Sequence, residues 1–296
     1  MVMDELSCSQ QSRNEGEALH GTALEGIDTW LLLECPDRWG RDLYLDSKLP
    51  EPVKAHLRHY QLDRPNVRVQ LIRQKDSRTR SKIRFMAIYS GSERPGRTEL
   101  ELTDPEELCD LNFSELLEQR KEMLPLYLVC THGQRDACCA RYGPSMYRAL
   151  EARVGARAWQ STHLGGHRFA PTVIAFPQGN MFGQLTAAQA ESLIEGKEGD
   201  ALPHFRGRTC YSRPVQTADW IIRKEEGLYV DAPLTLEASV QSSPTTWSVR
   251  FSSERKIYAA QVEARTEKSP SGLSCGAPAG MKWTRYRAIQ LESEVR

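Results

Sequence analysis

The chain has 296 residues, 40% of them hydrophobic and 26% charged, and its 39 basic and 39 acidic side chains cancel to a formal net charge of zero. This composition predicts a folded protein of about two domains, and the charge balance supplies no basic face for nucleic acid. The one basic cluster, residues 73–84, reads as a solvated loop before an anion or partner patch.

In chain order, the polar and acidic stretch 1–25 is expected to be disordered or loosely packed, and it has no apolar core of a secretory signal. The hydrophobic run 30–35 is too short to span a bilayer. A cytoplasmic protein without a membrane segment is therefore expected, where eight cysteines read as metal ligands, reactive thiols or buried fillers before a disulfide framework. Residues 30–34 read as a buried strand, followed by the loop CPDRWGRD. Residues 51–60 have helical spacing with Pro52 in the first turn. Strands follow at 67–72, 83–90 and 99–102, and Asp104 opens a further helix as its N-cap.

A similar order then recurs. Residues 126–129 form an apolar strand leading into a cysteine-rich loop, and 144–154 form a helix with Met146, Leu150 and Val154 on one face. Strands at 156–161, 171–176 and 181–185 precede a helix at 186–195 capped by Thr186. WGRD and GQRD fall in matching loops, which points to a duplicated module or to two unrelated α/β halves of similar order. From about residue 205 the pattern becomes a helix, 213–225, followed by four alternating segments separated by turn-rich pieces. The expected organisation is thus an N-terminal α/β module at 26–118, a second at 119–203 and an antiparallel α+β appendage at 204–296.

Chemistry concentrates in the second module. Cys130 and Cys139 bracket the run CTHGQRDACC, and His163 and His167 follow in THLGGHRFA. Two soft sulfurs and two imidazoles suit zinc or an iron–sulfur cluster. The i, i+4 histidines flank Gly165 and Gly166, which argue for a loop over a helix. The gap between Cys130 and Cys139 is wider than a structural zinc knuckle and unlike the common ferredoxin spacings. Spacing therefore leaves Zn2+ and a 2Fe-2S cluster both open.

The runs CTHGQRDACCARYG and STHLGGHRFAPTVIAFPQG, together with GTALEGIDTWLLLECPDRWGRD near the start and GRTCYSRPVQ after them, resemble the sucrase/ferredoxin-like family of thioredoxin-like ferredoxins. The resemblance implies a thioredoxin-like α/β ferredoxin fold and a 2Fe-2S cluster held by Cys130, Cys139, His163 and His167, with Cys138 as the alternative second sulfur. It implies an electron carrier serving an unidentified reductase or acceptor protein rather than a catalyst. The sequence shows no paired-carboxylate constellation of the kind glycoside cleavage needs. Imidazole ligands would raise the potential and couple electron uptake to a proton. Around the site, His132 could steady the turn or donate to a cluster sulfur. Arg135 and Asp136 would form a local ion pair or helix cap, or shape the site's field, and Arg168 could face a partner's acidic surface. The competing readings are a structural zinc module and a thiol–disulfide protein using Cys138 and Cys139.

Overall fold

Leucine-rich and β-branched runs become fully buried strands, and polar runs that open on Asp, Asn or Ser become capped helices. The computed structural model describes residues 6–195 and 199–296. Helix α1 (Cys8–Asn14) and strand β1 (Thr29–Glu34) come first. Helices α2 (Leu43–Asp46) and α3 (Glu51–Leu62) follow, then strands β2 (Val67–Arg73), β3 (Ile83–Tyr89) and β4 (Gly96–Leu102). A 3-10 helix at Pro105–Asp110 and α4 (Phe113–Glu118) lead to β5 (Leu126–Cys130), α5 (Ala137–Val154) and β6 (Ala158–Ser161). Next come a 3-10 turn at His167–Phe169, β7 (Thr172–Phe176), β8 (Asn180–Gly183), α6 (Ala190–Glu195) and β9 (Phe205–Arg208). Helix α7 (Arg213–Glu226) precedes β10 (Thr235–Ser243), β11 (Thr246–Ser252), β12 (Lys256–Lys268) and β13 (Lys282–Val295).

The protein is mixed α/β, and its chain divides into two compact units. One comprises Gly26–Gly165 and Pro171–Gly179; the other gathers the segment ending at Glu25, Gly166–Ala170 and Asn180–Arg296. This partition differs from the expected modules at 26–118, 119–203 and 204–296. Within the first unit the strands join one large mixed sheet in the order β4-β3-β1-β2-β6-β5-β7, so that residues on both sides of position 118 share one sheet. Strands β1 and β2 pair in parallel while β3 pairs antiparallel with β1. The same pattern returns with β5, β6 and β7. The two sets meet where β2 and β6 pair antiparallel through only Ile72 opposite Ser161 and Arg73 opposite Gln160. Under the first set, Leu31, Leu33, Leu57, Leu71, Phe85 and Phe113 form a buried core.

In the other unit, β8 pairs antiparallel with β9, and β10 to β13 form a separate four-stranded antiparallel sheet. Helix α7 buries Val215, Ala218 and Ile222 against Phe251, Tyr258 and Val262 of that sheet, and Gly227 at positive φ ends it.

Three local expectations need correction. The stretch 6–25 is not loose: Ser9 and Ser12 of α1, together with Glu17, Leu19 and Ala23, are buried. Its polarity misled because Ser12 donates to Glu17 at 2.6 Å and Glu17 pairs with Arg168 at 2.8 Å, so charges that look solvated are compensated inside. Residues 1–5 of that expectation lie outside the described residues. Helix α5 starts at Ala137, not at residue 144, because Asp136 caps it by accepting the Cys138 N–H at 2.8 Å, which leaves Pro144 inside. The helix expected after Asp104 is a 3-10 helix closed by a capping box between Asp104 and Glu107.

His20 carries a pH dependence. Its ring stacks on Trp220 with centroids 4.4 Å apart. Burial, reinforced by the cations Arg285 and Lys224, pushes its pKa down to about 4. The folded form therefore binds this proton less readily than the unfolded chain, so its contribution to stability is complete above about pH 6.5 and is lost as the pH falls towards 4. The loss approaches about 3 kcal/mol. Chemical denaturation between pH 7 and 4 should show this decline, and His20→Phe, which keeps the stack without the titratable nitrogen, should flatten it by that amount.

Candidate metal centre

Parallel pairing sets the geometry. Because β5 and β6 run the same way, with Cys130 opposite Ser161, their C-terminal ends open at one edge of the sheet, where α/β folds place ligands. Strand β5 ends on Cys130, the connecting loop turns into α5 with Cys139 as its third residue, and the chain leaving β6 reaches His163 two residues on. The Sγ atoms of Cys130 and Cys139 and a ring nitrogen of His163 all lie within 4.8 Å of one another. His163 Nδ1 stands 3.8 Å from Cys130 Sγ and 3.7 Å from Cys139 Sγ. Both sulfurs are buried and the imidazole is half-buried. Helix and strand approach closely enough that a Cβ at Gly143 would stand 2.0 Å from the Cys130 carbonyl oxygen; only glycine fits there.

The two sulfurs shift in opposite directions. Burial alone would raise the Cys130 pKa, but the hydrogen bond from Cys139 and the nearby His163 outweigh it and hold Cys130 well below the ordinary thiol range. Cys139 moves the other way, pushed up by its hydrogen bond to Cys130 and by burial. Metal ligation requires both sulfurs as thiolates, so a metal held here would displace a proton from Cys139.

His163 is held by its backbone. Its N–H donates to His132 Nδ1 at 3.1 Å, and His132 Nε2 meets the Gly40 carbonyl at 2.6 Å. Nδ1 accepts, so the proton sits on Nε2 and donates to Gly40. Burial lowers the His132 pKa against the opposing pull of Gly40 and Cys130, which keeps this ring neutral. The His163 carbonyl accepts from Arg68 Nη2 at 3.1 Å and from Gln70 Nε2 at 3.4 Å. The Thr162 N–H also donates to the Leu71 carbonyl at 2.9 Å, continuing the β2 pairing to the edge of the site.

The other expected residues are distributed differently. Of the vicinal pair, Cys139 joins Cys130 and His163, while Cys138 is fully buried with its N–H on Asp136. His167 begins the 3-10 turn at His167–Phe169, beyond Gly165 and Gly166 at φ 85° and 66°, in the segment that belongs to the other compact unit. His132 steadies the turn as well as the His163 loop. Arg135 is exposed, and its neighbour Asp136 supplies the helix cap. Arg168 does not face outwards: it is 4% exposed and its guanidinium pairs with Glu15 at 2.9 Å and Glu17 at 2.8 Å. Sequence reasoning missed Arg68, Gln70 and Gly143. Arg68 and Gln70 stand two apart on one face of β2, a polar alternation within VRVQLIR that could have marked them.

The donors suit a metal. Bonds of about 2.3 Å to sulfur and 2.0–2.1 Å to nitrogen at a tetrahedral angle separate the two donor atoms by roughly 3.6 Å, close to the 3.7 and 3.8 Å found here. The positioning of His163 is testable with His132→Phe, which keeps the ring and removes the hydrogen-bonding nitrogens. Cobalt titration, read by thiolate-to-cobalt absorption, should show affinity reduced by about tenfold to hundredfold.

A curated relative, "Altered inheritance of mitochondria protein 32" of the yeast Meyerozyma guilliermondii, is 30% identical over 91 residues. That stretch is 28% of this chain and 31% of the relative, so the match spans about a third of the yeast protein. No solved structure matches. The model of the sucrase/ferredoxin-like family matches residues 19–207, more than half of the chain and a span that contains the cysteine loop, the His163 loop and the β2 residues that support it. The chain belongs to the sucrase/ferredoxin-like family.

Proposed function

We propose that the protein is an electron carrier in which Cys130, Cys139, His163 and His167 hold a 2Fe-2S cluster and exchange single electrons with a reductase or acceptor protein. The observation that carries this reading is the convergence of Cys130, Cys139 and His163 within 4.8 Å, in a chain whose family is described in part by likeness to ferredoxins. The recurrence of the parallel-plus-antiparallel strand pattern, with Asp42 capping α2 as Asp136 caps α5, supports a duplicated thioredoxin-like arrangement. A reducing compartment such as the cytoplasm suits exposed thiols and thiolate ligands alike; no helix among the described residues is long and apolar enough to cross a membrane.

Bound there, the cluster would supply one-electron chemistry, at a potential raised by its imidazole ligands relative to an all-cysteine cluster. The protein's own residues do the rest. Cys130 and Cys139 present two sulfurs from a buried position that limits water. His132, Arg68 and Gln70 fix the His163 backbone so that Nδ1 faces the sulfurs, which leaves Nε2 to hold or release a proton. Electron uptake by such a cluster, if coupled to a proton on an imidazole ligand, would make the potential fall as the pH rises, by up to about 59 mV per pH unit. Voltammetry from pH 6 to 10 should show the slope, and a flat response would remove this coupling.

One observation favours a second reading. His163 Nδ1 is almost equidistant from the two sulfurs, at 3.8 and 3.7 Å, which matches the shell of a single tetrahedral ion such as Zn2+ and would make the centre structural. Anaerobic purification with metal and acid-labile sulfide analysis separates the two. The carrier predicts two irons and two sulfides per chain and a red-brown protein whose colour is lost in Cys139→Ala. Stoichiometric zinc in colourless protein would replace the proposal with the second reading.

A further inference from the structure

The buried Arg168, which the candidate centre does not use, organises a second pair of cysteines within its own unit. Its guanidinium is neutralised by Glu15 and Glu17, and its remaining donors reach two segments far apart in sequence. On one side Nη1 meets the Cys8 carbonyl at 3.4 Å. On the other, Nη2 donates to Ser271 Oγ at 2.7 Å and Nη1 to the Gly272 carbonyl. These last two belong to the turn between β12 and β13, whose base is closed by Ser269 N–H on the Met281 carbonyl at 2.9 Å and Gly280 N–H on the Ser269 carbonyl at 2.8 Å. A cation pinned at both ends therefore holds this turn against α1, and it brings Cys275 Sγ to 3.6 Å from Cys8 Sγ. The residues lie 267 apart in the chain, so the approach is a product of the fold.

We propose that Cys8 and Cys275 are a thiol modification site, oxidised by hydroperoxides to a disulfide that fastens the β12–β13 turn to α1. The two thiols differ in the way such a pair requires. Cys275 is exposed, whereas Cys8 is 1% exposed. Peroxide reaches Cys275 first: its thiolate attacks one oxygen of hydrogen peroxide, the O–O bond breaks, and the leaving hydroxide takes up the proton given up by the Cys275 thiol, so the products are a sulfenic acid and water. The Cys8 thiolate then attacks that sulfur; the S–S bond forms and the S–O bond breaks, with hydroxide leaving and taking up the proton given up by Cys8. Two thiols and one hydrogen peroxide thus become one disulfide and two waters. The separation must shrink from 3.6 Å to about 2.05 Å. The turn can supply that movement, because Gly276 and Gly280 stand at φ 77° and 80° on either side of a short span of small residues. Reduction by a dithiol reverses the step by exchange at the exposed sulfur. A hydrogen-bonded latch on Arg168 becomes a covalent one under peroxide.

The site does not depend on the metal reading, and its test reads neither metal nor electron transfer. The full-length protein is treated with hydrogen peroxide, quenched, denatured, alkylated and digested with trypsin without reduction. Trypsin places Cys8 in peptide 1–13 and Cys275 in peptide 269–282. The expected result is one cross-linked species joining these two peptides, formed in most of the chains, removed by dithiothreitol and absent from Cys275→Ser. That variant changes an exposed side chain and leaves the buried Cys8 in place, so its fold is retained. Recovery of both peptides alkylated would overturn the proposal. So would arrest of Cys275 at the sulfinic acid, or a disulfide joining either cysteine to Cys138 or another partner.

Discussion

The candidate site depends on the parallel pairing of β5 with β6. A strand, a helix and a second strand beside the first bring the end of one strand, the start of the helix and the end of the other strand to a common edge. The three donors, separated in sequence by 9 and 24 residues, occupy those three places. Were β6 antiparallel to β5, His163 would leave from the opposite edge. Four residues of strand at about 3.3 Å each would then put it roughly 13 Å from the sulfurs, beyond any shared metal. Gly143 allows the same arrangement to close, since helix and strand touch through the Cys130 carbonyl where no side chain fits.

The N-terminal strands repeat the pairing without the donors. Cys35 follows β1 and donates its N–H to the Ile72 carbonyl as Thr131 does to Ser161. By this register Glu34, not Cys35, stands where Cys130 stands. Glu34 is buried and pairs with Arg80 at 2.6 Å, with Ser77 donating to the same oxygen. A carboxylate compensated in this way stands at the position that Cys130 holds in the second set. What this half gives the centre is support: Gly40 anchors His132, and Arg68 and Gln70 hold the His163 carbonyl. The short antiparallel contact of β2 with β6 makes this possible, because it overlaps the C-terminal ends of both strands.

Much of this was legible in the sequence, and the limits have physical causes. The strand, loop and helix that carry Cys130 and Cys139 are local, and their apolar pattern and turn chemistry announce them. So does the glycine pair after His163. The support of His163 is not local: Arg68 reaches a carbonyl 95 residues away, and no periodicity encodes such a contact. The stretch 6–25 and Arg168 were misread for a single reason. Acidic residues in a polar segment and an arginine far along the chain each look solvated when read alone, and only the fold shows that they neutralise one another. The sequence pattern puts the start of α5 at residue 144, seven residues late, whereas the cap at Asp136 sets it at Ala137.

The same contacts determine where protons can move. His132 is fixed as one neutral tautomer by a donor on Nδ1 and an acceptor on Nε2, so it cannot also donate to a sulfur. Arg68, although burial lowers its pKa, carries a guanidinium that stays a cation near Cys130. Neither group changes charge near neutral pH. A metal held by both sulfurs would need both as thiolates, so acid would compete with its binding. On His163 it is Nδ1, and not Nε2, that the sulfurs meet, at 3.8 Å from Cys130 Sγ and 3.7 Å from Cys139 Sγ.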